Sequence, residues 1–196
     1  MKKICLLLLI GCLSGCTYLG TLATGVRRIG TILWDDRPLK QDAEDTQINL
    51  AVRNAFMHED IKLGVDIEVT VFNGAVLLTG AIPSSDLIMR LVELTWQTPN
   101  VKKVYNYIRL AQPLDLMEVQ EDAAVSGMIR TQLMFTEGIK SSNYKLTMEN
   151  KVVYIMGRST SRQEYEKVLA VIKDTSGVEK TITLIPEILN TPAPEI

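Results

Sequence analysis

The chain repeats itself at a fixed spacing, and this repeat limits its fold more than any other feature of the sequence. When the 196 residues are compared with themselves at an offset of 77 positions, a stretch of about sixty positions aligns without gaps and contains several identical pairs. The aligned pairs include Arg53 with Arg130, Met57 with Met134, Thr70 with Thr147, Asn73 with Asn150, Gly80 with Gly157 and Ser84 with Ser161. A shared register of this length indicates two copies of one structural unit.

The pattern of copy one predicts the order helix, strand, strand, helix, strand. Apolar residues at helical spacing predict a helix near 45–58, and strict alternation predicts a strand over 65–71. Asn73-Gly74 predicts a tight hairpin turn because both residues tolerate positive φ, and we expect the return strand to end at Gly80. Ser84 precedes a second predicted helix as its cap, and 101–110 supplies the third strand.

Copy two follows the same order with weaker turn signals. We predict helices at 122–136 and 160–174, strands at 144–148, 151–156 and 178–185, and a turn at Glu149-Asn150. In the two copies, Val52 with Phe56 and Ile129 with Leu133 are expected to face the sheets. The Glu44-Asp45 and Glu121-Asp122 pairs are interpreted as carboxylates that complement the positive end of a helix dipole.

The N-terminus has the composition of a cleaved export signal with a lipid attachment site. Two lysines are followed by an apolar run of about ten residues, which is too short to cross a bilayer. Leu13-Ser14-Gly15-Cys16 resembles the bacterial lipobox, which implies cleavage before Cys16 and acylation of that cysteine, palmitate being one such chain. Thr17 follows, where an Asp would resemble an inner-membrane retention signal, so the outer membrane is favoured.

Cysteine content and charge narrow the classes of partner. Cys5 and Cys12 lie in the predicted signal, so cleavage leaves Cys16 alone and no internal disulfide framework. The formal charge of -2 becomes -2 - 2 = -4 once Lys2 and Lys3 are removed. An acidic chain of this kind is a poor candidate for binding nucleic acid, which requires a basic face.

The arrangement of these motifs resembles the BON-domain family. Gly74-x-Val76-x-Leu78-x-Gly80 and Val101-x-x-Val104-x-Asn106 carry the resemblance in copy one, and Val153, Ile155 and Gly157 carry it more weakly in copy two. A lipobox followed by two such copies is similar to dual BON-domain outer-membrane lipoproteins. The fold implied is α+β, with two tandem BON domains, each a small three-stranded mixed sheet packed on two helices.

The domain plan that follows has six parts. They are a signal peptide at 1–15, a lipidated tether at 16–44, domain 1 at 45–110, a linker at 111–121, domain 2 at 122–186 and a flexible tail at 187–196. We expect fragments of about 43–112 and 116–190 to fold separately, because each copy contains its own helices and strands.

The resemblance implies a periplasm-facing lipoprotein whose second domain binds anionic phospholipid through its first helix and adjoining loops, and which supports envelope integrity and division-site processes. That helix has more apolar residues than one buried stripe uses. The candidate lipid-binding residues are Val125, Met128, Arg130, Met134, Phe135 and Lys140. The alternative for the apolar members is a role in the core or a domain interface.

The residue types that enzymes use are scarce. His58 is the single histidine and lies at a predicted helix end, so triads and Cys/His metal sites lack their components. The sequence therefore predicts no enzyme, no cofactor and no metal site. The alternative function is a protein-interaction module that docks on an envelope assembly machine, through exposed strands or the region of Trp34, with lipid serving only as a tether and other envelope proteins as partners.

We predict that Cys16→Ala abolishes acylation and leaves an uncleaved or freely soluble precursor, because Cys16 supplies the thiol of the lipobox. Metabolic labelling with a radioactive fatty acid measures this directly. Incorporation into the variant at the level of the parent would overturn the lipoprotein interpretation.

Overall fold

A computed structural model describes residues 39–185, and these residues form two repeats of the predicted order. The signal, Cys16, most of the tether and the tail lie outside the described residues. In domain 1, helix α1 (Leu39–Glu59) and a short helix α2 (Leu63–Asp66) precede strands β1 (Ile67–Phe72) and β2 (Ala75–Ala81). Helix α3 (Ser85–Gln97) and strand β3 (Lys103–Arg109) complete it.

Domain 2 repeats this order, with a 3-10 turn (Ser141–Asn143) at the position of α2. Helix α4 (Leu116–Phe135) is followed by a 3-10 turn and by strands β4 (Tyr144–Glu149) and β5 (Val152–Gly157). Helix α5 (Arg162–Asp174) and strand β6 (Lys180–Leu184) end the described chain. The element order confirms the predicted α+β class.

Each sheet has three strands, with its second strand in the centre. In domain 1, β2 is antiparallel to β1 and parallel to β3. In domain 2, β5 is antiparallel to β4 and parallel to β6. The sheets are therefore mixed, as the family resemblance implied.

One face of each sheet packs on its own two helices. The predicted core residues Val52 and Phe56 of α1 are fully buried against the first sheet, together with Val76, Leu78 and Leu91. In domain 2, Ile129 and Leu133 of α4 occupy the equivalent places with Ile155, Val168 and Ile172. The apolar stripes assigned to the cores from helical periodicity are confirmed.

The other faces of the two sheets pack on each other. Five buried residues from both domains form this inter-sheet cluster: Phe72, Leu77, Tyr154, Met156 and Leu184. The rings of Tyr107 and Tyr154 lie 5.0 Å apart, and Thr70 Oγ1 is 2.7 Å from Thr147 Oγ1. Arg109 Nη2 donates a hydrogen bond of 2.9 Å to Glu149 Oε1. These contacts join the two repeats in one compact unit.

Several predicted boundaries differ from the structure. Helix α4 begins at Leu116 rather than at 122, because Asp115 accepts a hydrogen bond from Glu118 N and Glu118 bonds back to the Asp115 amide. The second hairpin turns at Asn150-Lys151, where φ is 52° and 59°, rather than at Glu149-Asn150. Strand β2 continues through Gly80 to Ala81, and at Gly80 the positive φ brings the Asp66 carbonyl too close for any side chain.

Asp45 and Asp122 have a structural role that differs from the predicted dipole interaction. Both lie inside helices, beyond the first turn. The Asp45 carboxylate accepts hydrogen bonds from the Asn73 and Gly74 amides, at 2.8 and 2.9 Å. Asp122 Oδ1 likewise accepts a bond of 3.0 Å from the Lys151 amide. Each aspartate therefore ties the first helix of its domain to the hairpin turn of the sheet.

The inter-sheet cluster leads us to predict that separated halves are less stable than the intact chain. Fragments 37–112 and 113–190 would each expose apolar side chains that are now buried, and each large one contributes about 1.5–3 kcal/mol. We expect melting temperatures lower by roughly 10 °C or more, with partial recovery when the fragments are mixed. Thermal unfolding followed by circular dichroism tests this, and fragments that melt with the intact chain would contradict it.

Candidate functional site

Helix α4 is apolar on two sides, and only one of them is used by the core. Ile129 and Leu133 are buried in domain 2, and Ser126 and Asp122 continue the buried side toward the start of the helix. A further set of large apolar side chains on α4 is exposed: Leu116, Met117, Val119, Met128, Met134 and Phe135. The exposed fraction reaches 70 % for Met117 and 80 % for Phe135.

Helical geometry places most of these exposed residues on one face. At about 100° per residue, Met117, Met128 and Phe135 form one stripe, and Leu116 and Met134 form a second stripe beside it. The small residues Ala124, Gly127 and Thr131 lie between the stripes. A Cβ atom at Gly127 would meet no other atom within 4 Å, so the centre of this face is open. We call this surface the open face of α4.

Charged residues of α4 border the open face and do not lie within it. Glu118 and Asp122 are nearer the core side of the helix, Glu121 lies beside Met128 at one edge, and Arg130 lies beside the stripe that contains Met134 at the other. A surface helix of a soluble protein ordinarily directs its charges away from the core. The open face is therefore a candidate for contact with something apolar.

The structure brings together only part of the predicted set. Met128, Met134 and Phe135 lie on the open face. Val125 does not, because it is one helical turn before Ile129 and packs partly buried against the core of domain 2. Its Cγ2 occupies the space beside Gly177, where a Cβ would come within 2.8 Å. The expectation that Val125 is available for lipid is wrong for this reason.

The two predicted cations differ in position. Arg130 Nη2 donates a bond of 2.6 Å to the Leu146 carbonyl, so part of its guanidinium is used within domain 2. Lys140 follows the C-terminal end of α4 in the loop that leads to β4, and its residue is exposed. The Lys140 amide donates a bond of 2.9 Å to Glu164 Oε1, which fixes the backbone of that loop.

Leu116 and Met117 were missed as members of the face. They fall in the segment predicted to be linker, so no helical face was assigned to them. The Asp115-x-x-Glu118 pattern was the signal that could have placed the helix start before them. With these two residues, the open face extends over the whole length of α4.

Residues 41–59 of the matching helix in domain 1 form no such face. Met57 and His58 are the counterparts of Met134 and Phe135 at the offset of 77. Leu50 and Met57 are exposed on α1, but Met57 also packs on Gly64, which leaves no space there for a side chain. The two copies thus share a fold, and among the side chains that the structure describes only those of the second copy form a continuous apolar helix surface.

Glu164 holds the loop that follows the open face. It is 2 % exposed and accepts bonds from the Lys140 amide, the Thr160 amide and the Thr160 hydroxyl, at 2.9, 2.7 and 2.5 Å. Burial alone would raise the pKa of Glu164, but these bonds stabilise the carboxylate and hold the pKa below its ordinary value.

Two further observations bear on the chemistry of the described residues. Within 39–185, no helix is both long and apolar enough to cross a bilayer. The same part of the chain contains no group of three or more His, Cys, Asp or Glu side chains arranged to hold a metal ion.

Comparison with known proteins identifies relatives of the whole arrangement. The family model described as the BON domain matches residues 44–112 and 121–185. An uncharacterized protein in the gshII 5' region of Anaplasma centrale is 36% identical over 120 residues, which is 61% of this chain and 80% of that protein.

Two similar proteins have more informative descriptions. The outer membrane lipoprotein DolP of Haemophilus influenzae is 24% identical over 188 residues, covering 93% of this chain and 94% of its own length. The 21 kDa hemolysin of Actinobacillus pleuropneumoniae is 26% identical over 155 residues, covering 76% and 79%.

We predict that Glu164 makes domain 2 sensitive to acid. Because its pKa is lower in the folded state than the unfolded value of about 4.3, its stabilising contribution is complete above that pH and is lost as the pH falls toward the folded pKa. Hydrogen bonds to a charged group contribute about 1.5–3 kcal/mol. Glu164→Gln should therefore lower the free energy of unfolding by about that amount at pH 7.

Urea unfolding at pH 7 and at pH 3 measures this difference. The difference in stability between the parent and the variant should be smaller at the lower pH. Burial raises the pKa of Glu149, which titrates in both proteins and cancels in the comparison. A stability difference between the two proteins that is the same at both pH values would contradict the assignment.

Proposed function

This chain belongs to the BON-domain family, and from that premise we propose that it is an outer-membrane lipoprotein that binds anionic phospholipid through the open face of α4. In this proposal, Cys16 carries the acyl chains and both domains face the periplasm. The role is structural and regulatory rather than enzymatic, in support of envelope integrity and division-site processes. The similarity to an outer membrane lipoprotein over 93% of the chain supports the location.

The observation that carries the proposal is the open face itself. Its methionine, leucine and phenylalanine side chains are exposed, although burying one such side chain contributes about 1.5–3 kcal/mol. A helix that lies in a membrane interface with one face among the acyl chains would recover this energy. Phe135 and Met134 at the helix end are accompanied by Arg130 and Lys140, whose charges suit a phosphate group.

The net charge of the protein explains why lipid binding must depend on local contacts. The chain without its signal has a net charge of -4, so the protein as a whole is repelled weakly by an anionic surface. Binding must therefore combine apolar insertion with the few cations near the open face. Any lipid selectivity would come from Arg130 and Lys140 rather than from the bulk field.

A second candidate function is supported by a different surface. Met89 and Trp96 are exposed on α3 of domain 1, where the aligned residues of domain 2 are Glu166 and Lys173. Exposed Trp and Met are typical of protein-interaction sites. This surface favours docking on an envelope assembly, with lipid acting only as a tether. The Trp34 region of that alternative lies outside the described residues.

We predict that Phe135→Asp and Met128→Asp each weaken binding to anionic liposomes at least tenfold, which corresponds to about 1.4 kcal/mol. Both side chains are exposed, so the variants should keep the fold of the parent. Flotation of a chain that starts at Thr17, and so lacks acyl chains, with phosphatidylglycerol liposomes measures the binding.

His58→Asp is the matched control, because His58 is the exposed counterpart of Phe135 in domain 1. It should leave flotation unchanged, as should Trp96→Ala. If folded Phe135→Asp and Met128→Asp proteins float as well as the parent, the open face is not the lipid site. If the unacylated parent itself does not float, the docking alternative is favoured, because lipid then acts only as a tether.

A further inference from the structure

A cleft of about 670 Å³ lies between the two domains and adjoins the edge of the open face at Leu116. Domain 1 lines it with residues from α2 and the β1–β2 edge, and domain 2 lines it with α4 and β4. Its polar lining includes Glu68 and Thr79 of domain 1 and Asp122, Arg130 and Glu149 of domain 2. The volume is within the range of small-molecule binding sites.

Each wall of the cleft contains a buried polar atom without a hydrogen-bond partner in the described chain. Asp122 is 6 % exposed, and its Oδ2 accepts no bond, while Oδ1 is occupied by the Lys151 amide. Thr79 is 1 % exposed, and its Oγ1 also lacks a partner. A buried polar group left unpaired costs about 1–3 kcal/mol, and more when it is charged.

In domain 1, the residue equivalent to Asp122 has hydrogen bonds to both of its carboxylate oxygens. This residue is Asp45, whose oxygens accept from the Asn73 and Gly74 amides. The equivalent clamp in domain 2 uses only Oδ1 of Asp122. Oδ2 of the same residue, which lines the cleft, accepts no hydrogen bond. The requirement of the fold is met by Oδ1, so the unpaired Oδ2 calls for a partner that is not part of the fold.

The charge of the cleft selects the kind of partner. Four of its lining residues are carboxylates, Asp66, Glu68, Asp122 and Glu149, and Arg130 is the cation named among them. Glu68 is paired with Arg53 and Glu149 with Arg109. Asp66 and Asp122 form no ion pair within residues 39–185. A cationic donor would therefore be attracted here and an anion repelled.

The rim of the cleft is apolar. Val65, Leu116 and Val119 are large side chains that are exposed there, from α2 on one side and α4 on the other. A ligand that fits both parts has a cationic hydrogen-bond donor and an aliphatic portion. An ammonium group carries three donors and no acceptor, so it can donate to Asp122 and to Thr79 at once.

We propose that this cleft binds a primary ammonium group carried on an aliphatic chain, held by Asp122 and Thr79 with its chain against Val65, Leu116 and Val119. Two sources supply that chemistry, a free aliphatic amine and the ethanolamine headgroup of a phospholipid. The two sites share Leu116 at their border, but the polar contacts of the cleft, Asp122 and Thr79, are not part of the open face.

Titration calorimetry on the full chain in a nonionic detergent tests the proposal. The probes are spermidine, dihexanoyl phosphatidylethanolamine below its micelle concentration, and the corresponding phosphatidylcholine, whose quaternary nitrogen has no N–H. We expect saturable binding of spermidine or of the ethanolamine lipid, and at least tenfold weaker binding of the choline lipid. Which of the two amines binds distinguishes the sources.

Asp122→Asn removes the charge while retaining an acceptor for the Lys151 amide, and it should weaken amine binding at least tenfold. Thr79→Val, which replaces a hydroxyl that has no partner, should weaken it several-fold without lowering the melting temperature. Asp45→Asn is the matched control and should bind as the parent does. The proposal is overturned if neither amine binds, if the choline lipid binds equally well, or if Asp122→Asn and Asp45→Asn have the same effect.

Discussion

A three-stranded sheet has two faces, and the two helices of each repeat cover only one of them. The uncovered faces contain Leu77 and Tyr154, which are apolar and central. Burying them against each other satisfies both sheets at once, and this packing places helices on the outside and sheets in the middle. The positions of the interdomain cleft and of the open face of α4 both follow from it.

The packing of the sheets also sets what each helix can do. Because the helix-free faces of the two sheets pack on each other, the outer surfaces of the helices are left to contact other molecules. In domain 1 that surface is apolar on α3, at Met89 and Trp96, whereas in domain 2 it is apolar along α4. At the aligned positions, domain 2 has the charged residues Glu166 and Lys173 where domain 1 has Met89 and Trp96. Duplication has given one scaffold two different exterior surfaces.

Much of the fold could be predicted from the sequence because its signals are local. Helical periodicity identified Val52, Phe56, Ile129 and Leu133 as core, and these residues are buried. The second turn was misplaced by one residue although the repeat itself contained the answer, since Asn73 and Gly74 align with Asn150 and Lys151. A lysine at positive φ is unusual, so composition alone favoured the wrong pair.

The contacts between repeats could not be predicted in the same way. Periodicity reports that a strand has an apolar face but does not say what covers it. The four consecutive apolar residues at the start of β2, 75–78, were a sign of burial on both faces, which alternation alone does not reveal. The clamp formed by Asp122 and the cleft beside it depend on distances between residues far apart in the chain. Three members of the predicted lipid set lie on the open face because of their helical positions, whereas the packing of Val125 beside Gly177 joins residues 52 positions apart (177 - 125).

The hydroxyl contact between Thr70 and Thr147 joins two residues that occupy the same position in the two copies. A position that meets its own duplicate is the mark of an axis of approximate twofold symmetry, as in a homodimer whose partners use the same patch. Threonine suits such an axis because its hydroxyl both donates and accepts, so each copy can complete the other. A surface of this kind is complementary to a second copy of itself. Joining the two in one chain replaces a concentration-dependent encounter with an intramolecular one, and it frees each half to change without losing its partner.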